Sequence, residues 1–441
     1  MSEGAEIWLV RHARTSANAS GIWQGRTEGE IDQVGEQQMA ALAARFAGRH
    51  FDLVLTSPLQ RAQRTAAIFG TPTVEEDLIE IDLGRWDGLS TSELVKGHSL
   101  HLEAFGLGEE VALGTTGETP TQISTRIESI IERVFDRLGP GERAVVVTHG
   151  GLLDSVTQRF FGRDHLRRRL GDLTENTGIT RLKRWHGRTR LTSFNDTGHL
   201  GPRPGAVEAA LLEGHTALTL IRHGQTRANV ERRWQGQSDW GLDELGRRQA
   251  QALAAWYGAP DRVVSSPLGR ALETARTLAP EPEIVEGLVE LGFGTWEGMT
   301  VEEVQAADSH LYSQIFHERQ DLPRGSTGES WGQMAQRIRG AIESIAPVRG
   351  QLTAVVTHGA AIRAYLADLA ARGWSAAGDW DTPTNTSVTH LVLEDRGPRI
   401  VDFSSAIHLE TIELQMPPES SLEDRGGVPI KTSEVPAKDV G

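Results

Sequence analysis

Short apolar runs that turn polar abruptly recur along this chain. Ile7–Val10 and Leu218–Ile221 each read as a buried strand, and each is followed at once by an arginine and a histidine, Arg11-His12 and Arg222-His223. Gly35–Phe46 has apolar residues at helical spacing (Met39, Leu42, Ala43, Phe46), Leu53–Thr56 reads as a strand and Leu59–Phe69 as a helix. Thr121–Leu138 predicts a longer amphipathic helix through Ile123, Ile127, Ile130, Ile131, Val134 and Leu138. Ala144–Thr148 is the clearest buried strand, with a helix over Leu152–Phe160 behind it. Ile179–Trp185 and Leu191–Phe194 read as an edge hairpin turning at His186-Gly187. The later half follows suit through Ala354–Thr357, Val388–Glu394 and Ile400–Phe403.

Alternating strands and helices of these lengths predict an α/β fold. Its expected form is two repeated three-layer domains, each a mostly parallel sheet with helices on both faces. The repeat is visible in the polar residues. His12 and His223 are 211 apart, Arg61 and Arg270 are 209 apart, Glu80 and Glu290 are 210 apart, and His149 and His358 are 209 apart. Ser57-Pro58-Leu59-Gln60-Arg61-Ala62 aligns with Ser266-Pro267-Leu268-Gly269-Arg270-Ala271, and Thr148-His149-Gly150 with Thr357-His358-Gly359. A period near 210 is a whole domain, too long for a solenoid unit. The expected division is a first domain over 1–195, a linker over 196–216, a second domain over 217–415 and a disordered tail over 416–441. Glycines and prolines mark the linker, where Val207–Leu212 can form a short helix. The tail combines Pro417, Pro418, Gly426, Gly427, Pro429 and Pro436 with charges and serines.

Composition narrows the chemistry. Lys plus Arg number 45 against 60 Asp plus Glu, a net charge of −15, which argues against nucleic acid as the main partner. With no cysteine, disulfides, thiol catalysis and cysteine-ligated metals are excluded. Met1–Glu6 has neither a basic segment nor an apolar core, and no apolar run approaches the ~18 residues of a membrane span, so no membrane association is expected. A cytoplasmic location is the expectation. The oligomeric state is not legible.

Each half offers two histidines, two arginines, a glutamate and an asparagine, all at strand ends or helix starts. Histidine can act as nucleophile, base or ligand. Paired guanidinium groups suit a phosphate or carboxylate, and helix starts after Ser57-Pro58 and Ser266-Pro267 add positive dipole ends. An anionic substrate attacked at phosphorus by histidine is the reading favoured.

The Arg-His-Gly-x-Thr block at 222–226, the Ser-Pro-Leu-x-Arg-Ala blocks, Glu290-Leu291-Gly292-Phe293-Gly294-Thr295-Trp296-Glu297-Gly298 and the late Thr-His-Gly together resemble the histidine phosphatase, or phosphoglycerate-mutase-like, superfamily in both halves. The resemblance implies a metal-independent phosphomonoesterase of the histidine acid type, working through phosphohistidine on a small phosphorylated substrate, with no cofactor and no metal. It implies that His12 and His223 are nucleophiles and that Glu80 and Glu290 are proton donors. It places Arg11, Asn18, Arg61 and His149, and in the second half Arg222, Asn229, Arg270 and His358, around the phosphate. Gln24-Gly25 and Gln235-Gly236 fall near the entrance. Two alternatives stay open: a phosphoglycerate mutase, although the longer insertion with its His-Tyr-Gly run is absent, and a chain with one active half and one phosphate-binding or regulatory half.

One departure from the pattern is Ala13, where the second half has Gly224. Glycine there would admit positive φ and a close backbone approach; alanine is either tolerated or narrows the cradle. Asp82 and Glu297 are nearby substitutes for the acids. Trp86 and Trp296 read as packed residues before substrate platforms. His98, His101, His310 and His317 read as surface-helix residues before metal ligands. Arg163, Arg167, Arg168 and Arg169 read as a solvated helix end. The segments 90–118 and 300–329 differ most between the halves and predict different substrate preferences.

Overall fold

The computed structural model describes residues 4–106, 109–161, 171, 173–345, 348–376, 378–395 and 397–410. The arginine run at 163–169 and the tail expected at 416–441 lie outside these residues. The described chain forms two six-stranded sheets. The first contains β1 (Ala5–Arg11), β2 (Leu53–Thr56), β3 (Thr73–Val74), β4 (Arg143–Thr148), β5 (Ile179–Trp185) and β6 (Arg188–Asp196). Their order is β3-β2-β4-β1-β5-β6. β3, β2, β4 and β1 are parallel, and β5 and β6 add an antiparallel edge. The second contains β7 (Thr216–Arg222), β8 (Arg262–Ser265), β9 (Glu283–Ile284), β10 (Leu352–Thr357), β11 (Val388–Glu394) and β12 (Gly397–Ile400) in the equivalent order, β9-β8-β10-β7-β11-β12.

Strand periodicity explains the layers. Along β1, Ile7 and Leu9 face the helices Pro120–Asp136 and Gly150–Phe161, while Trp8 and Val10 pack with Leu42, Phe46, Ala62 and Ala66 of the opposite helical layer. The second half repeats this. Leu218 and Leu220 share a core with helices Trp331–Ser344 and Gly359–Leu369, and Ala217 and Ile221 pack with helices Glu244–Tyr257 and Gly269–Ala275. Trp86 and Trp296 are buried as expected.

The short helix expected at Val207–Leu212 forms as Gly205–Leu212 and places Val207 and Ala210 in the second half's core, while β6 runs to Asp196. Glycine and proline there mark turns, but the apolar positions between them still find a surface to cover. The run Ile400–Phe403 is not a hairpin strand throughout. β12 ends at Ile400, and Phe403 pairs instead with Phe194 of the first half. Its apolar character reflects burial in the seam between the halves, where Phe161, Phe194, Trp380 and Phe403 meet edge-to-face at 4.9–5.2 Å. Further bridges join Leu191 to Trp380 and Gly171 to Ile400. Arg45 adds an ion pair to Asp196 at 2.6 Å and another to Glu410 at 2.9 Å.

Candidate active sites

The carboxyl ends of β1, β2 and β4 lie side by side in the first sheet, and those of β7, β8 and β10 in the second. Each end delivers site residues at the edge where α/β sheets place their ligands: Arg11-His12, Ser57 and His149 in one half, Arg222-His223, Ser266 and His358 in the other. The two imidazoles of each pair stand 5.1 Å apart in the first site and 5.2 Å apart in the second.

The first histidine of each pair is locked by its own backbone. His12 Nδ1 lies 2.8 Å from the Ala13 carbonyl oxygen, and His223 Nδ1 lies 2.7 Å from that of Gly224. A carbonyl only accepts, so Nδ1 carries the proton and Nε2 keeps its lone pair. Both side chains are buried. Burial first, then Arg11 and Arg61, holds His12 well below its usual pKa of 6.5, and burial, then Arg270 and Arg222, does the same for His223. Each imidazole is therefore neutral at pH 7.

Buried N–H donors converge on this group. Arg61 and Arg270 are 1% and 0% exposed, which rules out a solvated helix-face role. Arg61 donates to the Gly25 and Thr27 carbonyls at 2.7 and 2.8 Å, and Arg270 to those of Gly236 and Ser238 at 2.7 and 2.9 Å. These bonds fix each guanidinium and leave its buried Nε without a protein acceptor. Burial lowers the pKa of Arg270 to about 10, which still leaves it charged at pH 7. Arg11 and Arg222 are held by carbonyl oxygens of Thr174 (2.5 Å) and Pro383 (2.6 Å).

The second histidines bond Ser57 Oγ and Ser266 Oγ through Nε2 at 2.7 and 2.8 Å. Those hydroxyl oxygens accept the amides of Leu59 and Leu268, and neither hydroxyl hydrogen has another acceptor among the described residues, so donation to Nε2 is the arrangement that places it, with the imidazole proton on Nδ1. Nδ1 of both His149 and His358 is buried without an acceptor. Orphaned buried donors are rare in folded proteins, and their convergence here describes an anion pocket.

Glu80 and Glu290 close the other side. Glu80 accepts the amides of Ile81, Gly151 and Leu152 at 2.8, 3.1 and 3.2 Å, and Glu290 those of Leu291, Ala360 and Ala361 at 2.8, 3.2 and 3.2 Å. Each carboxyl thus sits at the start of the helix that follows the second histidine. Burial raises the pKa of Glu80 above its usual 4.5. Asp82 and Glu297 do not share this position. Asp82 accepts the Gly84 amide, and Glu297 the amides of Gln237 and Ser238, so both brace loops.

Asn18 and Asn229 occupy capping boxes, accepting the amides of Thr15 and Thr226. Their amide oxygens are committed to the turn, and their NH2 groups are the donors left for a ligand. Gln24 accepts the Thr15 hydroxyl at 3.0 Å, beside the same turn. Ala13 and Gly224 both lack positive φ, and each donates its amide at 3.0 Å to the equivalent hydroxyl, Thr65 or Thr274. What glycine permits at 224 is close approach: a Cβ there would stand 2.5 Å from the Gly246 carbonyl oxygen.

Sequence reasoning passed over two pairs. Asn176 and Asn385 donate to the backbone oxygens of His12 and His223 at 2.9 and 2.8 Å. The signal was present as Asn-Thr-x-x-Thr at 176–180 and 385–389. Arg126 and Arg337 bind Glu118 and Glu329, and their NH1 groups hold carbonyls just ahead of Glu80 and Glu290 (Ile79 at 2.7 Å, Val289 at 2.9 Å). His101 bonds the Ala112 carbonyl and, with His98, packs on Trp86, so this pair belongs to the covering helix Thr91–Gly106.

Comparison with known proteins identifies one family in both halves. The model of the histidine phosphatase superfamily, branch 1, matches residues 7–197 and again 218–405. A metal-independent phosphoserine phosphatase of Arabidopsis thaliana is 36% identical over 207 residues, covering 45% of this chain and 84% of the relative. An adenosylcobalamin/alpha-ribazole phosphatase of Escherichia coli is 29% identical over 161 residues, covering 35% of this chain and 79% of the relative. Among solved structures, a phosphoserine phosphatase of Entamoeba histolytica bound to phosphoserine is 32% identical, covering 44% of this chain and 99% of its own, with a TM-score of 0.40.

Proposed function

The chain belongs to the histidine phosphatase superfamily, branch 1, in both halves, and from that premise we propose that it is a phosphomonoester hydrolase with two tandem sites acting on small phosphorylated metabolites through phosphohistidine. The observation that carries the reading is the neutral, backbone-locked histidine facing orphaned N–H donors, formed twice. Nε2 of His12 or His223 attacks phosphorus as the bond to the leaving oxygen breaks. The arginines and the second histidine stabilise charge on the equatorial oxygens. Glu80 or Glu290 gives its proton to the leaving oxygen. The resulting carboxylate then takes a proton from water, whose oxygen attacks phosphorus as the P–N bond breaks. Inorganic phosphate leaves, and both the imidazole and the carboxyl return to their starting forms. No step in this scheme calls on a metal or an organic cofactor.

The test is hydrolysis of an aryl phosphate, with chelator present, by the wild type, His12→Ala, His223→Ala and the double variant. Partial activity in each single variant and none in the double is expected. Equal activity in all four would remove the histidines from the chemistry.

A further inference from the structure

The loop 174–178, just ahead of β5, holds the end of β1 in place. The Thr174 carbonyl accepts Arg11, and Asn176 donates to the His12 backbone oxygen at 2.9 Å and to Asn18 Oδ1 at 3.2 Å. Thr177 and Gly178 bond the Arg11 backbone. The counterpart loop 383–387 holds Arg222 and His223 in the same manner.

The two loops are steadied differently. Pro383 has its φ fixed by its ring, whereas the equivalent Thr174 carries no such constraint. The next amide in each loop is taken by a buried side chain: Glu175 donates to Asn195 Oδ1 at 2.8 Å, and Thr384 to Ser404 Oγ at 3.2 Å. Asn195 and Ser404 are equivalent positions with the same left-handed backbone, φ 49° and 55°. Ser404 donates within its own half, to Ser387 Oγ at 3.3 Å. Asn195 is long enough to cross the seam, and its Nδ2 donates to the Val401 carbonyl at 2.9 Å.

Glu175 makes a second crossing. Its carboxylate accepts the amides of Gly205 and Ala206 at 3.3 and 3.0 Å, two of the open donors at the start of the helix Gly205–Leu212. Val207 and Ala210 of that helix lie in the second half's core. The equivalent Thr384 has no carboxylate to offer. The backbone bridges of the seam, Gly171 to Ile400 and Leu191 to Trp380, mirror one another. The ties made by Asn195 and Glu175 have no mirror image.

Taking the phosphatase reading as given, we propose that Asn195 and Glu175 are positioning residues of the first site. They brace its loop against the opposite half, so the first pocket is set up through the second half, while the second pocket relies on Pro383 and Ser404. They act on Arg11 and His12 through Thr174 and Asn176. Small displacements of such groups cost much of the rate.

The experiment uses the full chain, with nitrophenyl phosphate as substrate and inorganic phosphate as competing ligand. His223→Ala isolates the first site and His12→Ala the second. Into each background go Asn195→Ser and Glu175→Thr, which install the residue types of Ser404 and Thr384. At the first site either change is expected to lower kcat/KM about ten-fold, the scale of one buried hydrogen bond, and to raise the inhibition constant of phosphate, which Arg11 also binds. Glu175→Gln keeps an oxygen for the helix amides and should retain most of the activity. The second site should keep both constants within about two-fold. It serves as the internal control, because loosening of the whole seam would lower both sites. Equal losses at the two sites, or no loss at the first, overturn the proposal while leaving the phosphatase reading standing. A first site that hydrolyses nothing while the second works does the same. Hydrolysis by neither single-site protein, before any change at 175 or 195, overturns both.

Discussion

Phe194 and Phe403 exchange both backbone hydrogen bonds, each amide donating to the other's carbonyl at 3.0 Å. They are equivalent positions of the two halves, 209 residues apart. The flanking bridges obey the same exchange: Leu191 pairs with Trp380, and their counterparts Ile400 and Gly171 pair with each other. A pseudo-twofold axis therefore passes between the two phenylalanines, and the chain is built like an isologous dimer joined covalently.

That seam predicts shared stability. Both rings are fully buried, so Phe403→Ala is expected to cost about 3–5 kcal/mol and to lower one common unfolding transition. Urea titration followed by tryptophan emission checks this. Two separate transitions, with only the later half's displaced, would show that the halves are independent.

The state of the proposed nucleophile is set by burial and by its arginines. Because His12 and His223 have lowered pKa values, their protons leave at lower pH than from an exposed imidazole. Both should remain neutral at pH 6.5, as the Nδ1–H tautomer. Nitrogen-15 histidine spectra, assigned with the two alanine variants, should show this; half-protonation at 6.5 would contradict it. The same sign applies to stability: below pH 6.5 the unfolded chain takes up these protons and the folded chain does not, so the contribution of these residues turns against folding.

The proposed acid role of Glu80 and Glu290 predicts a leaving-group dependence. Glu290→Gln in the His12→Ala background should lower turnover of an alkyl phosphate by roughly 10²–10⁴-fold. Formation of the phosphoenzyme from a nitrophenyl ester, whose leaving oxygen needs little protonation, should fall far less. Glu80→Gln in the complementary background should behave alike. Equal losses with both esters would assign the glutamates to fold maintenance.

Asp154 accepts the amide and the hydroxyl of Thr174, whose carbonyl holds Arg11; burial pushes it up to about 7, so it loses its proton across the neutral range. Below that value it is a neutral carboxyl; above it, a carboxylate acts against the phosphate dianion beside Arg11. KM at the first site should therefore rise between pH 6 and 8 more steeply than at the second, and Asp154→Asn should flatten the rise. A slope unchanged in the variant would contradict this.

Much of the site was legible because its residues sit at strand ends and recur at a near-constant offset. The positions of Arg11-His12, Arg61, His149 and Glu80 follow from that pattern. Asn176 and Asn385 were harder, since a loop asparagine reads as a turn residue until its carbonyl partner is seen. Arg126 and Arg337 lie on the polar faces of amphipathic helices, where arginine is usually solvated. The seam was hidden for a related reason. Phe194 and Phe403 look like ordinary strand residues, and hydrophobicity reports that a side chain is buried without saying against what. Between 196 and 216 the glycines and prolines described the backbone correctly, and Val207 and Ala210 held the packing information. The segments 90–118 and 300–329 differ in their helices but end alike. Gly114 and Gly325 make the same left-handed turn, with φ of 52° and 51°, and Glu118 and Glu329 make the same bonds to Arg126 and Arg337.

The covalent intermediate is the most direct test of the whole account. Wild type, His12→Ala, His223→Ala and the double variant would be mixed with a radiolabelled phosphomonoester and quenched in alkali, which preserves phosphohistidine and strips carboxyl phosphates. The account predicts label on His12 and His223 in the wild type, on the remaining histidine alone in each single variant, and on neither position in the double variant. Turnover by the wild type with no alkali-stable label, or label that persists in the double variant, would contradict it.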